Sequence, residues 1–120
     1  MKVPEKYYDE IFEFKGQWDI PSKCGLKIRE IDSKKFVIVT ELYQENTGTS
    51  VTYAGFLLAS QICQVKNLIL DEITYIECTP DTKSKLSFYD EEYYEVKFND
   101  GQPAYRLISQ DEVNHLFQND

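Results

Sequence analysis

The chain has 120 residues, with 21 Asp and Glu against 13 Lys and Arg, a formal net charge of −8, 42% hydrophobic residues and 14% aromatic residues. That length suits one domain, and the aromatic and apolar content excludes a disordered tail. The acidic balance argues against a nucleic-acid partner, which a basic surface would have to meet.

Residues 1–10 contain no apolar segment that could serve as a secretory signal, which predicts a cytoplasmic protein. Cys24, Cys63 and Cys78 are widely spaced, form no CxxC pair, and each lies in an apolar local pattern. They read as free cysteines that behave as small buried hydrophobes, and no structural metal is expected.

Alternation in Ile11-Phe12-Glu13-Phe14-Lys15 puts Phe12 and Phe14 on one side of a short strand, and Gly16 permits the turn after it. Pro21 bends the segment from Trp18 to Ser22. Trp18 reads either as a core anchor or as the lip of an interaction surface. From Lys23 to Ile31, Cys24, Leu26 and Ile28 alternate with Lys23, Lys27 and Arg29, the pattern of a strand with one wet face. After the polar turn Asp32-Ser33-Lys34-Lys35, the run Phe36 to Leu42 is apolar on both faces, as in a central strand. This hairpin is locally basic: residues 21–40 hold Lys23, Lys27, Arg29, Lys34 and Lys35 against Glu30 and Asp32.

No charge occurs between Glu45 and Lys66. Thr49 or Ser50 caps a main helix over about 50–66, with Val51, Ala54, Gly55, Leu58, Ile62 and Val65 as its apolar stripe. Thr52, Ser60, Gln61 and Gln64 interrupt a stretch shorter than the ~20 residues a membrane span needs, so no membrane contact is expected. Such an uncharged helix has to be covered by its own sheet or by another subunit.

Ile73 to Cys78 is a strand ended by Pro80, which implies a strand-helix-strand crossover. Further strands are predicted at Leu86 to Tyr89 and Tyr93 to Phe98; a turn at Asn99-Asp100-Gly101-Gln102 then leads into a return strand from Ala104 to Ile108. Ser109 and Glu112 form a capping box that opens a short C-terminal helix over about 110–118. The fold class is therefore α+β: a mostly antiparallel sheet of five or six strands, one main helix and a short C-terminal helix in a single domain.

His115 is the only histidine, and the chain contains no P-loop, nucleophile elbow, dinucleotide fingerprint or HExxH. No catalytic set is named by these residues, and no cofactor or metal is expected. Two regions point to binding. At the helix start, Thr49, Ser50 and Thr52 sit at the positive end of a helix dipole, where Lys27 and Arg29 would complete a site for a phosphate or carboxylate; the alternative is a plain cap. Asp90, Glu91, Glu92 and Glu95, with Trp18, would offer an acidic surface to a basic partner; the alternative is a solvated strand edge whose charge discourages pairing.

The blocks Gly16-Gln17-Trp18-Asp19-Ile20-Pro21-Ser22-Lys23-Cys24 and Thr40-Glu41-Leu42 with Asn46-Thr47-Gly48-Thr49-Ser50-Val51-Thr52 resemble a family of small, uncharacterised bacterial proteins. The likeness covers about half of the chain. It implies a bacterial cytosolic protein and no particular activity. The leading expectation is a non-catalytic interaction module that engages a protein partner or a second copy of itself. The alternatives are a binding protein or enzyme for a small anionic, phosphate-bearing ligand, and a nucleic-acid mimic that fills a basic protein's groove.

Overall fold

Six strands form one mixed sheet in the order β1-β2-β3-β4-β5-β6, as seen in a computed structural model that describes residues 7–16, 19, 21–40, 55–78 and 93–117. The strands are β1 (Glu10–Lys15), β2 (Pro21–Ile31), β3 (Lys34–Thr40), β4 (Ile73–Cys78), β5 (Tyr93–Asn99) and β6 (Gln102–Ile108). Helices α1 (Gly55–Lys66) and α2 (Gln110–Phe117) complete the fold. All neighbouring pairs are antiparallel except β3 and β4, which run parallel. A parallel pair needs a long crossover, and the chain between them carries α1. The expected α+β class and the strand-helix-strand crossover are thus found.

Two tight turns set the register. Asp32 and Ser33 both have positive φ (51° and 65°), as do Asp100 and Gly101 (52° and 74°). Paired positive φ is the mark of the type I′ two-residue turn, whose twist matches that of the flanking strands. The second turn is also held from outside: both carboxylate oxygens of Asp71 accept, one from the N–H of Asp100 and one from that of Gly101, each at 3.0 Å.

Strand alternation distributes the core over two faces. Phe12, Phe14, Cys24, Leu26, Val37, Val39, Tyr75, Val96 and Phe98 form one face, against which α1 packs Leu58, Ala59, Ile62 and Cys63. The helix stops at Asn67, whose φ of 57° and the bond from the Leu68 N–H to the Cys63 carbonyl (2.8 Å) make a left-handed C-terminal cap. Val65, expected on the covered stripe, is instead 67% exposed. The buried stripe runs through Leu58, Ala59, Ile62 and Cys63, and the helix is tied to β1 by Gln61, which bonds the Lys15 backbone, and by the Lys66 to Glu10 ion pair. On the opposite face Ile38, Ile76, Cys78 and Ile108 receive Val113 and Leu116 of α2. The sheet is thus covered on both sides.

All three cysteines are free and buried, as their apolar settings predicted. The Ser109 and Glu112 capping box is present: the Glu112 N–H donates to Ser109 Oγ at 3.2 Å, and the Ser109 N–H donates to Glu112 Oε1 at 3.5 Å. The strand expected at Leu86 to Tyr89 and the first residues of the expected main helix lie outside the described residues. No helix among those described is long and apolar enough to cross a membrane.

Candidate functional site

On the α2 face the registers line up Lys27, Ile38, Ile76, Glu95 and Arg106 across five consecutive strands. The row is charged at its ends and apolar in the middle. Helix α2 lies over part of it and leaves a cavity of about 390 Å³, a size within the range of ligand pockets. Phe36, Ile76, Ile108 and Leu116 give it apolar walls, while Glu95, Asp111, Glu112 and His115 supply its polar lining.

The carboxylates are held by Arg106. Its Nη2 donates to Glu95 Oε2 at 2.9 Å and to Glu112 Oε2 at 3.0 Å, and its Nε donates to Glu95 Oε1 at 3.3 Å. This fork fixes the Glu95 carboxylate, whose side chain is only 14% exposed. It also ties the first turn of α2 to β6. The hydrogen bonds to Glu95 and then Glu112 push the Arg106 pKa further up, and Arg106 in turn holds the Glu112 carboxyl below its usual range. Three carboxylates line the cavity and one guanidinium neutralises part of their charge, so its formal balance is negative. An apolar cleft of that sign suits a cationic group on an apolar stem.

The residues singled out in the sequence are distributed unevenly. Glu95 lines the cavity, whereas Trp18, Asp90, Glu91 and Glu92 lie outside the described residues, as do Thr49, Ser50 and Thr52. Lys27 and Arg29 point to the α2 face, on the side of the sheet away from α1. Lys27 is buried, 3.5 Å from Asp9 Oδ1 and 5.8 Å from the centre of the Phe117 ring. Its ammonium is engaged in joining the N-terminal segment to α2. Arg106, Asp111, Glu112 and His115, none of which the sequence marks as a binding residue, belong to the cavity or its clamp, with His115 exposed at the surface.

Cys24 and Cys63 carry no sign of activation. Burial, and then the charge of Glu77, pushes Cys24 up to about 12, and burial also raises Cys63. A reactive cysteine requires the reverse shift. Among the described residues no group of three His, Cys, Asp or Glu side chains is placed to hold a metal ion. Comparison with protein-family models, curated sequences and solved structures finds no match to this chain.

Proposed function

We propose that the protein is a non-catalytic interaction module whose cleft beneath α2 receives a lysine or arginine side chain from a protein partner. The observation that carries this reading is the juxtaposition of the Glu95, Asp111 and Glu112 carboxylates with the apolar walls of Phe36, Ile76, Ile108 and Leu116. An aliphatic stem would lie along those walls while its cationic head meets the carboxylates. The net charge of −8 adds long-range attraction for a basic partner.

The test is a titration of isotope-labelled protein with Nα-acetyl-arginine amide and Nα-acetyl-lysine amide, followed through the methyl signals of Ile76, Ile108 and Leu116. Saturable shifts that weaken with added salt and with Asp111→Asn are expected. Methyl signals that stay unmoved at millimolar probe, or that move equally with Nα-acetyl-glutamate amide, would overturn the reading.

A further inference from the structure

The two outer strands of the sheet are finished differently. At β1 the backbone of Lys15 is closed by the carboxamide of Gln61: Oε1 accepts from the Lys15 N–H at 2.9 Å and Nε2 donates to the Lys15 carbonyl at 3.0 Å. A side-chain amide there imitates the peptide of a further strand. Such closure is how folded proteins keep an edge from pairing with another chain. At β6, no strand lies on the outer side among the described residues. Tyr105 and Leu107 are each 62% exposed there, two large apolar side chains on the α1 face of the strand.

The turn determines which backbone groups that edge presents. Asn99 and Gln102 close the two-residue turn and form a mutually hydrogen-bonded pair, after which such pairs alternate with open ones along β5 and β6. Pro103, Tyr105 and Leu107 fall at the open positions, so their main-chain groups point away from β5. Pro103 has no N–H to offer, which leaves the donors and acceptors of Tyr105 and Leu107 as the complete pairs.

We infer that β6 pairs antiparallel with β6 of a second copy of this chain, extending the sheet across a two-fold axis at Arg106. In this register Tyr105 faces Leu107 of the other copy, twice by symmetry. All four outward groups find partners in four hydrogen bonds. The neighbouring symmetric register, centred on Tyr105, sets Leu107 against Pro103 and leaves the Leu107 carbonyl without a donor. In the Arg106 register two guanidinium groups meet, but each brings two carboxylates, Glu95 and Glu112. Each guanidinium is thereby neutralised within its own copy, so the two do not meet as bare cations, and the seam as a whole stays net negative. Tyr105 and Leu107 of both copies then form one apolar cluster on the α1 face. The pairing goes beyond the cleft reading: it rests on the outward backbone of β6 and shares with the cleft only the Glu95 and Glu112 carboxylates that hold Arg106.

The test is the molar mass of the full chain by light scattering over a concentration series, for the wild type, Leu107→Lys and Tyr105→Pro. Proline at position 105 deletes an outward N–H and no bond to β5, as Pro103 already does at the equivalent position two residues earlier. It should leave the monomer folded by circular dichroism. The wild type is expected to approach twice the 14.1 kDa chain mass at high concentration. Each variant should raise the dissociation constant by about tenfold or more. A wild type that stays monomeric up to millimolar concentration, or a dimer that survives both substitutions, would overturn the inference.

Discussion

Lys27 and Asp9 join the N-terminal segment to the sheet: the ammonium of Lys27, on a side chain only 6% exposed, lies 3.5 Å from the Asp9 carboxylate. The same segment is fixed by Thr40 Oγ1, which donates to the Tyr7 carbonyl at 2.8 Å, and by the Tyr7 ring, which meets Phe117 edge-on. Lys27 also lies over the Phe117 ring, so its stem fills space among apolar groups while its charge is engaged. Lys27→Met, which keeps the stem, is expected to change stability by less than about 1 kcal/mol, and Lys27→Ala to cost about 2 kcal/mol. Urea unfolding checks both. Equal losses for Met and Ala would show that charge, and not packing, sets the contribution of Lys27.

Gly25 accommodates that N-terminal segment. A Cβ built there would stand 2.7 Å from the Cβ of Tyr8 and 2.8 Å from its Cγ. No real side-chain contact is so short, and both residues are buried, so one of them has to move. Gly25→Ala is expected to cost ~1–3 kcal/mol, as overpacking generally does. The double variant Gly25→Ala with Tyr8→Gly removes the clash, so the two substitutions should prove strongly non-additive in thermal unfolding. Additive losses would count against the contact as the cause.

Much of this architecture is legible in the sequence. Alternation in β2 and β3, the Gly101 turn, the capping box and the uncharged helix each follow from short-range rules. Even the Glu95 and Arg106 pair is implied once a two-residue turn is centred on Asp100 and Gly101, because those residues then fall opposite one another. What short-range rules cannot supply is the face of the sheet on which each helix settles. Lys27 looked like a wet-face cation because it alternates with Leu26. The structure covers that face with α2 and Tyr8, and the cation becomes internal. The cavity depends on the same long-range fact, since it exists only where α2 meets the middle of the sheet.

The buried thiol and phenol predict an alkaline limit. Cys24 is raised from 9.0 to about 12 by burial and by Glu77, and Tyr75, whose hydroxyl lies 3.3 Å from Glu77 Oε1, is raised well above 10.0 by burial first and Glu77 second. For both groups folding favours the protonated form. The contribution of Cys24 is therefore complete below pH 9 and is lost as pH rises toward 12, and that of Tyr75 is complete below pH 10 and is lost as pH rises through its raised folded value. Cys24 should resist iodoacetamide in the native protein at pH 8 and react once urea unfolds the chain. Mass spectrometry of the labelled peptides would show this; rapid native labelling of Cys24 would contradict its burial.

Glu112 predicts the opposite limb. Its hydrogen bond to Arg106 lowers its pKa from 4.5, so its ionised form is favoured by folding. That contribution is present above about pH 4.5 and disappears as pH falls through the depressed folded value. Arg106→Gln should therefore be less stable than the wild type at neutral pH, and the two should converge in acid. A stability difference that stays constant from pH 7 to the acid end would show that Arg106 acts through packing alone.

Gln61 reads in the sequence only as a polar interruption of an apolar helix, yet its amide closes the β1 edge through Lys15. The pairing requires one acceptor and one donor on the same side chain. Gln61→Ala removes both and returns the Lys15 peptide groups to water, so the expected loss is modest, about 1 kcal/mol. Gln61→Glu tests the geometry more sharply. An ionised carboxylate still accepts from the Lys15 N–H, but it turns an acceptor toward the Lys15 carbonyl, where a donor is needed. Once protonated, the same carboxyl supplies an O–H to that carbonyl and restores the pair. Gln61→Glu should accordingly be less stable than Gln61→Ala at pH 7 and should gain on it as pH falls through the carboxyl range. Parallel stability profiles for the two variants across that range would show that Gln61 fixes α1 by its apolar stem, and that the edge owes its closure to something other than the amide.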